Sequence, residues 1–220
     1  MNTEAAPKRW LWRAAAVAVL AAAPAAALAA GKVTPERAQQ AIVTVEDPLE
    51  QETTLSTKRV APSTRGVFRT PHNDTYLHAY VHRGTGKVRF EVRQSFNYVG
   101  GYRHYEAVNY ETAGLPATAK VRLIDGNKEH CQAVEFSMTC LEKVVFEIDE
   151  AALRQIAEAA GELPDAWELK FKATYGEDHR ATLPTAEIKG LLRAVDVYRV
   201  ARNLHAPHSE LALNAAEATR

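Results

Sequence analysis

Cysteine is scarce in this chain, with only Cys131 and Cys140 among 220 residues. A disulfide-dense scaffold and a zinc site with several cysteines both need more thiols, so neither class fits. In an exported chain, a pair with eight residues between its members is predicted to form a structural disulfide. The alternatives are a redox pair, which more often has C-x-x-C spacing, and a metal site with His130, whose spacing fits no familiar zinc pattern.

Sequence signatures of covalent catalysis are missing as well. The chain contains neither G-x-S-x-G nor S-x-x-K, and its few serines lie in no recognisable nucleophile setting. Gly84-x-Gly86 and Gly100-Gly101 are better explained as hairpin turns than as phosphate-binding loops, because neither lies between a strand and a helix. These absences predict no cofactor and favour a protein that is not an enzyme.

Carboxylates are plentiful, but no pair is marked as catalytic by its position. Glu147, Asp149 and Glu150 are typical of a strand end followed by a helix start. A glycosidase-type pair stays open, because carboxylates distant in sequence can meet in the fold. The alternative function is therefore an envelope-polymer hydrolase, whose two carboxylates the sequence does not identify.

Neither sign of charge is in excess, since 27 basic residues face 27 acidic ones. Residues 1–30 contain three basic residues and one acidic residue, so the remainder has 24 basic against 26 acidic side chains. This balance directs the protein neither to nucleic acid nor to an anionic membrane surface. We predict no nucleic-acid partner.

The chain lacks an apolar run of the ~20 strongly apolar residues that a membrane-spanning helix needs. Residues 1–30 instead have a basic stretch, an Ala-rich run that contains Pro24, and small residues at Ala27 and Ala29. This is the three-part layout of a secretory signal peptide, and a membrane anchor is the less favoured alternative. We expect an exported protein, periplasmic or secreted, with no membrane span after cleavage.

The remaining sequence is long enough for one domain with a substantial core. We predict four segments: a signal peptide at 1–30, an N-terminal arm at 31–60, a single α+β domain at 61–202, and a flexible C-terminal tail at 203–220. The arm contains a short apolar alternation at 42–45 that can add an edge strand. Prolines and turn residues predict a loop at 61–74.

Alternation with a period of two predicts strands at 76–83, 87–98, 102–111, 119–124, 141–148 and 167–175. The first three are separated by glycines and are expected to form an antiparallel meander. Helical spacing predicts one helix over 149–161 and a second from about Pro184, with the apolar stripe Ile188, Leu191, Leu192 and Val195. The predicted fold class is α+β, in which an antiparallel sheet, as a meander or a sandwich-like layer, packs with two helices and carries one disulfide.

The first predicted hairpin has a testable register. A two-residue type II′ turn at Gly84-Thr85 pairs Arg83 with Gly86. The same register sets Val81 opposite Val88, Ala79 opposite Phe90 and Leu77 opposite Val92, so that one face is apolar. A slip by one residue would destroy this match.

The opposite face of the hairpin is the candidate ligand surface, because it combines aromatic rings with cations. Its residues are Tyr76, His78, Tyr80, His82, Lys87, Arg89 and Arg93. Such a face can stack on sugars or bases or bind anionic groups. Two structural interpretations stand beside this one: a solvated face whose side chains stack on each other, and a face packed under another layer.

A metal site built from this surface is disfavoured. His78 and His82 lie four residues apart on one strand, which separates their rings by about 13 Å, too far to share an ion. His78 and Glu91 form a plausible cross-strand pair, but two ligands without a third are more often a surface contact. We therefore predict no bound metal.

Taken with the export signal and the candidate ligand surface, the sequence predicts a non-catalytic binding or accessory protein of the bacterial envelope type. Its expected partner is an unidentified envelope component or protein.

Overall fold

The computed structural model describes residues 33–60, 74–112, 114–124, 130–134, 137–159 and 166–204. They belong to the unit that spans residues 32–220. The predicted signal peptide, most of the predicted loop at 61–74 and all but two residues of the predicted tail lie outside the described residues.

The chain is α+β with antiparallel sheets, as predicted. In chain order its elements are α1 (Pro35–Gln40), β1 (Val43–Val45), β2 (Glu52–Ser56), β3 (Asp74–His82), β4 (Val88–Val99), β5 (Tyr105–Thr112), β6 (Leu115–Lys120), β7 (Arg122–Leu123), β8 (His130–Val134), β9 (Ser137–Ile148), α2 (Glu150–Ala159), β10 (Ala166–Ala173), β11 (His179–Pro184) and α3 (Thr185–Ala201). A larger sheet has the order β1-β2-β3-β4-β9-β7, with β8 also paired to β9, and a smaller sheet has the order β11-β10-β5-β6.

The β3–β4 hairpin has the predicted register. Val81 lies opposite Val88, Ala79 opposite Phe90 and Leu77 opposite Val92. Leu77, Ala79 and Val81 are fully buried. The apolar and polar faces of the hairpin are therefore assigned as the alternation predicted.

The predicted type II′ turn is wrong. The Gly86 N–H donates to the His82 carbonyl at 2.8 Å, and the His82 N–H donates to the Lys87 carbonyl at 2.8 Å. The loop thus contains four residues, Arg83 to Gly86, and Gly86 rather than Gly84 has the left-handed φ of 69°. Strand register is unchanged, because the loop gains one residue on each side.

The predicted three-stranded meander is also wrong. The second neighbour of β4 is β9, and β5 instead pairs with β10 and β6 in the smaller sheet. Phe96 and Tyr105 still meet, as stacked rings with centroids 4.0 Å apart, but they do so between the two sheets. β4 pairs with β9 instead of β5 because β9 places Phe146 opposite Val92 and Ile148 opposite Phe90, which extends the apolar face.

The segment 33–60 contributes two strands to the larger sheet. β1 is the predicted edge strand, and β2 joins it to β3. Leu55 of β2 is buried in the core. The short helix α1 was not predicted, although Thr34 caps it by accepting from the Arg37 N–H at 3.3 Å and Pro35 opens it.

The core lies between the two sheets and beneath the helices. Both predicted helices are present, as α2 and α3, and the stripe of Ile188, Leu191, Leu192 and Val195 is buried. Phe146 of the larger sheet and Trp167 of the smaller sheet lie 6.4 Å apart between ring centroids. The layers are therefore held together by aromatic contacts as well as by aliphatic packing.

The predicted disulfide is present between Cys131 on β8 and Cys140 on β9. It joins two neighbouring antiparallel strands at directly opposed positions. Within the described ranges, no helix has the length and apolar character required to cross a membrane.

Candidate functional site

The outward face of the larger sheet carries five of the seven predicted ligand-binding residues close together. Strand register places Tyr76, His78 and Tyr80 of β3 beside Arg93, Glu91 and Arg89 of β4. Neighbouring strands add Glu52 of β2, Glu147 of β9 and Arg122 of β7. We call this surface the arginine face; its residues are Glu52, Tyr76, His78, Tyr80, Arg89, Glu91, Arg93, Arg122 and Glu147.

The other two predicted residues are placed differently. The His82 ring turns toward the hairpin loop, where its Nδ1 accepts from the Gly84 and Thr85 N–H groups at 3.2 Å each. Lys87 lies just before β4 and is exposed. His82 thus has a structural role in the loop, and the arginine face is centred nearer the start of β3, where His78 lies opposite Glu91.

Glu91 is the centre of the arginine face. Its side chain is 2% exposed, and three guanidinium groups converge on its two oxygens. Arg89 and Arg122 donate to Oε1, the latter at 2.7 Å, while Arg93 donates to Oε2 through Nε at 3.1 Å and Nη2 at 2.8 Å. Burial alone would raise the pKa of Glu91, but these hydrogen bonds and charges outweigh burial and lower it.

Tyr80 is packed between the same cations. The Arg89 guanidinium lies over its ring, 4.2 Å from the centroid, and Arg93 Nη2 donates to its hydroxyl at 2.6 Å. The ring and the guanidinium groups therefore hold one another in place. This contact was expected as an alternative to ligand stacking, and the structure contains it.

His78 is neutral under ordinary conditions. Burial, and next the positive charge of Arg93, lower its pKa to about 4. Its Nδ1 lies 3.1 Å from the Tyr80 hydroxyl. At neutral pH His78 offers a ring and a hydrogen-bonding nitrogen, but no charge.

Among the residues that the structure describes, no three His, Cys, Asp or Glu side chains are grouped so that they could hold a metal ion.

A cleft of about 250 Å³ borders the arginine face beside Arg89. It is lined in part by Glu147, Asp149 and Glu150, the acidic run noted in the sequence. The Glu150 carboxylate has a structural role, since Arg199 donates to both of its oxygens at 2.9 Å. Burial would raise its pKa, but Arg199 and Arg154 lower it, so Glu150 does not resemble a general acid.

In the part of the chain that the structure describes, a carboxyl with a raised pKa lies away from this cleft, at Glu187. Burial raises the pKa of Glu187 in α3 to about 8, but this side chain is 1% exposed and lines neither described cleft. A retaining or inverting hydrolase would need two carboxyls facing one cleft, one of them with a raised pKa. Neither of the two described clefts, the one lined by Glu147, Asp149 and Glu150 and the one lined by Glu177, presents that arrangement.

Sequence reasoning missed Arg122, and it treated Glu91 only as a neighbour of His78. Arg122 lies in the segment 119–124, which was predicted as one strand, but the structure divides this segment between β6 of the smaller sheet and the two-residue strand β7 of the larger sheet. It reaches Glu91 because β9 lies between β7 and β4. The distance in sequence hides this contact, and only the sheet order reveals it.

No protein-family model matches the chain, and no similar protein is found among curated sequences or solved structures.

Proposed function

We propose that this is an exported, non-catalytic binding or accessory protein of the bacterial envelope type, and that the arginine face is its ligand surface. The observation that carries this proposal is the convergence of Arg89, Arg93 and Arg122 on the buried Glu91 carboxylate. Fixed guanidinium groups lose little conformational freedom when a ligand binds, so the surface is preorganised.

The chemistry of the ligand can be inferred from the guanidinium N–H groups that do not contact Glu91. Each guanidinium has five N–H donors. Arg122 directs one contact to Glu91 while its side chain is 58% exposed, and Arg89 is 38% exposed. Planar forks of this kind bind carboxylate and phosphate groups through paired hydrogen bonds. The favoured ligand is therefore an envelope component that carries such a group.

Two exposed glutamates at the rim oppose an incoming anion only weakly. Glu52 and Glu147 lie 3.5 and 3.8 Å from Arg89, and their side chains are 41% and 57% exposed. Exposed ion pairs with such spacing contribute roughly 0–1 kcal/mol. A ligand anion that makes shorter, paired contacts can replace them.

Export rests on the signal-like residues 1–30, and a disulfide between Cys131 and Cys140 is compatible with an oxidising compartment. The periplasm or the extracellular space is therefore the proposed location.

The test is capture from an envelope extract by the purified protein and by Arg122→Ala. Arg180→Ala is the matched control, because Arg180 is also an exposed strand arginine, 72% exposed and 3.4 Å from Glu168, but on the smaller sheet. We expect the wild type and Arg180→Ala to retain the same component and Arg122→Ala to lose most of it. Equal capture by all three proteins would refute the arginine face as the ligand surface.

A further inference from the structure

A second cleft, of about 290 Å³, lies at the loops that leave β4 and β10. One wall is formed by Val99 at the end of β4 and residues 100–103 of the β4–β5 connection, and the other by residues 175–177 of the β10–β11 connection. At roughly 30 Å³ per water molecule, the space equals about ten waters, enough for one sugar ring with its hydroxyl groups. None of its lining residues belongs to the arginine face.

The first wall is held rigid by a buried carboxylate. Glu142 is 3% exposed, and it accepts three successive backbone N–H groups: Arg103 at 3.1 Å, His104 at 3.3 Å and Tyr105 at 3.3 Å. The Tyr98 hydroxyl also donates to Glu142 and accepts from the Arg103 N–H at 3.0 Å. Burying a carboxylate in this way is costly, and its structural result is a loop of fixed shape.

The second wall is fixed by its own contacts. The Thr174 and Tyr175 N–H groups donate to the His104 and Arg103 carbonyls at 2.9 Å each, which ties the two connections together. Asp178 accepts from the Ala173 N–H at 3.2 Å and from the Lys172 ammonium. The cleft is therefore formed before any ligand arrives, as expected for a small-molecule site.

The cleft combines apolar surface with a balanced pair of charges. Tyr175 is 63% exposed and Val99 is 66% exposed, although both are large apolar side chains. Arg103 and Glu177 both line the cleft. The Arg103 guanidinium lies 4.6 Å from the Tyr98 ring centroid, and its Nη1 donates to the Tyr105 hydroxyl at 3.3 Å. Arg103 supplies donors and Glu177 supplies acceptors, with no net charge from the pair.

Gly100 and Gly101 lie at an open rim of the cleft, because a methyl group built on either of them would meet no atom within 4 Å. The Gly100 N–H donates to the Met138 carbonyl at 2.8 Å, which holds this rim against β9.

We infer that this cleft binds a neutral carbohydrate. A pyranose ring has one apolar face of C–H bonds, which can stack on Tyr175 and touch Val99. Its hydroxyl groups need both donors and acceptors, which Arg103 on one wall and Glu177 on the other provide. The presence of one cation and one anion at this cleft favours a neutral sugar over a strongly ionic ligand.

The test is saturation-transfer NMR and calorimetric titration of the purified protein with cellotetraose and with chitotetraose. We expect at least one of them to bind. Tyr175→Ala should weaken binding by roughly tenfold or more, the scale seen when one stacking ring is removed. Tyr175→Phe should bind as the wild type does, because it keeps the ring.

The controls separate this inference from the proposed function. Arg122→Ala should bind the tetrasaccharide with unchanged affinity, and loss of binding in that variant would place the sugar on the arginine face and overturn the inference. Failure of the wild type to bind either sugar, or undiminished binding by Tyr175→Ala, would also overturn it. None of these results depends on whether the arginine face captures an anionic component.

Discussion

Glu187 is a buried acid in the first turn of α3, with its side chain against the loop that follows β2. The Thr57 hydroxyl donates to its carboxyl group. Burial raises the pKa of Glu187 to about 8 despite this hydrogen bond, and the negative charge of Asp74 adds to the effect. The carboxyl is therefore protonated in the folded protein at neutral pH, whereas in the unfolded chain it ionises near its ordinary value of 4.5.

Glu187→Gln is expected to flatten the dependence of stability on pH. The folded pKa lies above the unfolded one, so the stabilisation is fully present below pH 4.5 and is lost as pH rises through about 8. The loss amounts to a few kcal/mol, since one pKa unit corresponds to about 1.4 kcal/mol. Glutamine does not ionise, so the variant should be more stable than the wild type above about pH 8, as measured by denaturant unfolding across the pH range.

Glu158→Gln is the matched control, because Glu158 lies at an exposed position of α2. It should keep the pH dependence of the wild type. If the free energies of unfolding of Glu187→Gln and of the wild type changed with pH in the same way, Glu187 would already be ionised in the folded protein at neutral pH.

At the scale of elements, α1 packs on α3 through a close approach at Gly190. A methyl group on Gly190 would lie 2.5 Å from the Ala38 Cβ and 2.8 Å from the Gln39 backbone nitrogen. Gly190→Ala should therefore lower the free energy of unfolding by about 1–3 kcal/mol, because α1 must move and the better helix propensity of alanine offsets only about 1 kcal/mol. Thermal and denaturant unfolding measure this change.

Gly101→Ala provides the comparison for that prediction. Position 101 has open space around it, so this variant should change stability by less than roughly 0.5 kcal/mol. Equal stabilities for Gly190→Ala and the wild type would contradict the close contact between α1 and α3.

The elements that could be predicted are those whose pattern is local. Both long helices, the β3–β4 register and the disulfide follow from spacing within short segments. The pairing of β4 with β9 could not be predicted, because it joins segments about 50 residues apart and competes with the nearby β5. The turn type was missed because loops of two and four residues give the same register, and only the hydrogen bonds of Gly86 distinguish them.

The candidate site was predictable to the extent that it lies on one hairpin. Tyr80, Arg89 and Arg93 were assigned to one surface from alternation alone. The cluster became visible only when β7 brought Arg122 to Glu91, because sheet order depends on contacts distant in sequence. The alternation of residues along one strand therefore could not predict a half-buried ionic cluster that is assembled from several strands.

At the scale of the whole molecule, contacts between the long helices and the β3–β4 hairpin support the arginine face from the core side of the sheet. Arg199 of α3 donates to the Gly86 carbonyl at 2.9 Å and binds both oxygens of Glu150 in α2. This contact fixes the two long helices to the β3–β4 hairpin on the core side. The rigidity of the sheet keeps the guanidinium groups on its outward side in position.

The most direct test of the proposed function compares the double variant Tyr80→Ala, Arg89→Ala with the wild type for both ligand affinity and thermal stability. The ligand is the envelope component that the wild-type protein captures. A large loss of affinity is predicted with a melting temperature only a few degrees lower, because Glu91 keeps Arg93 and Arg122 as partners. Unchanged affinity, or collapse of the fold, would show that these side chains support the structure and do not bind the ligand.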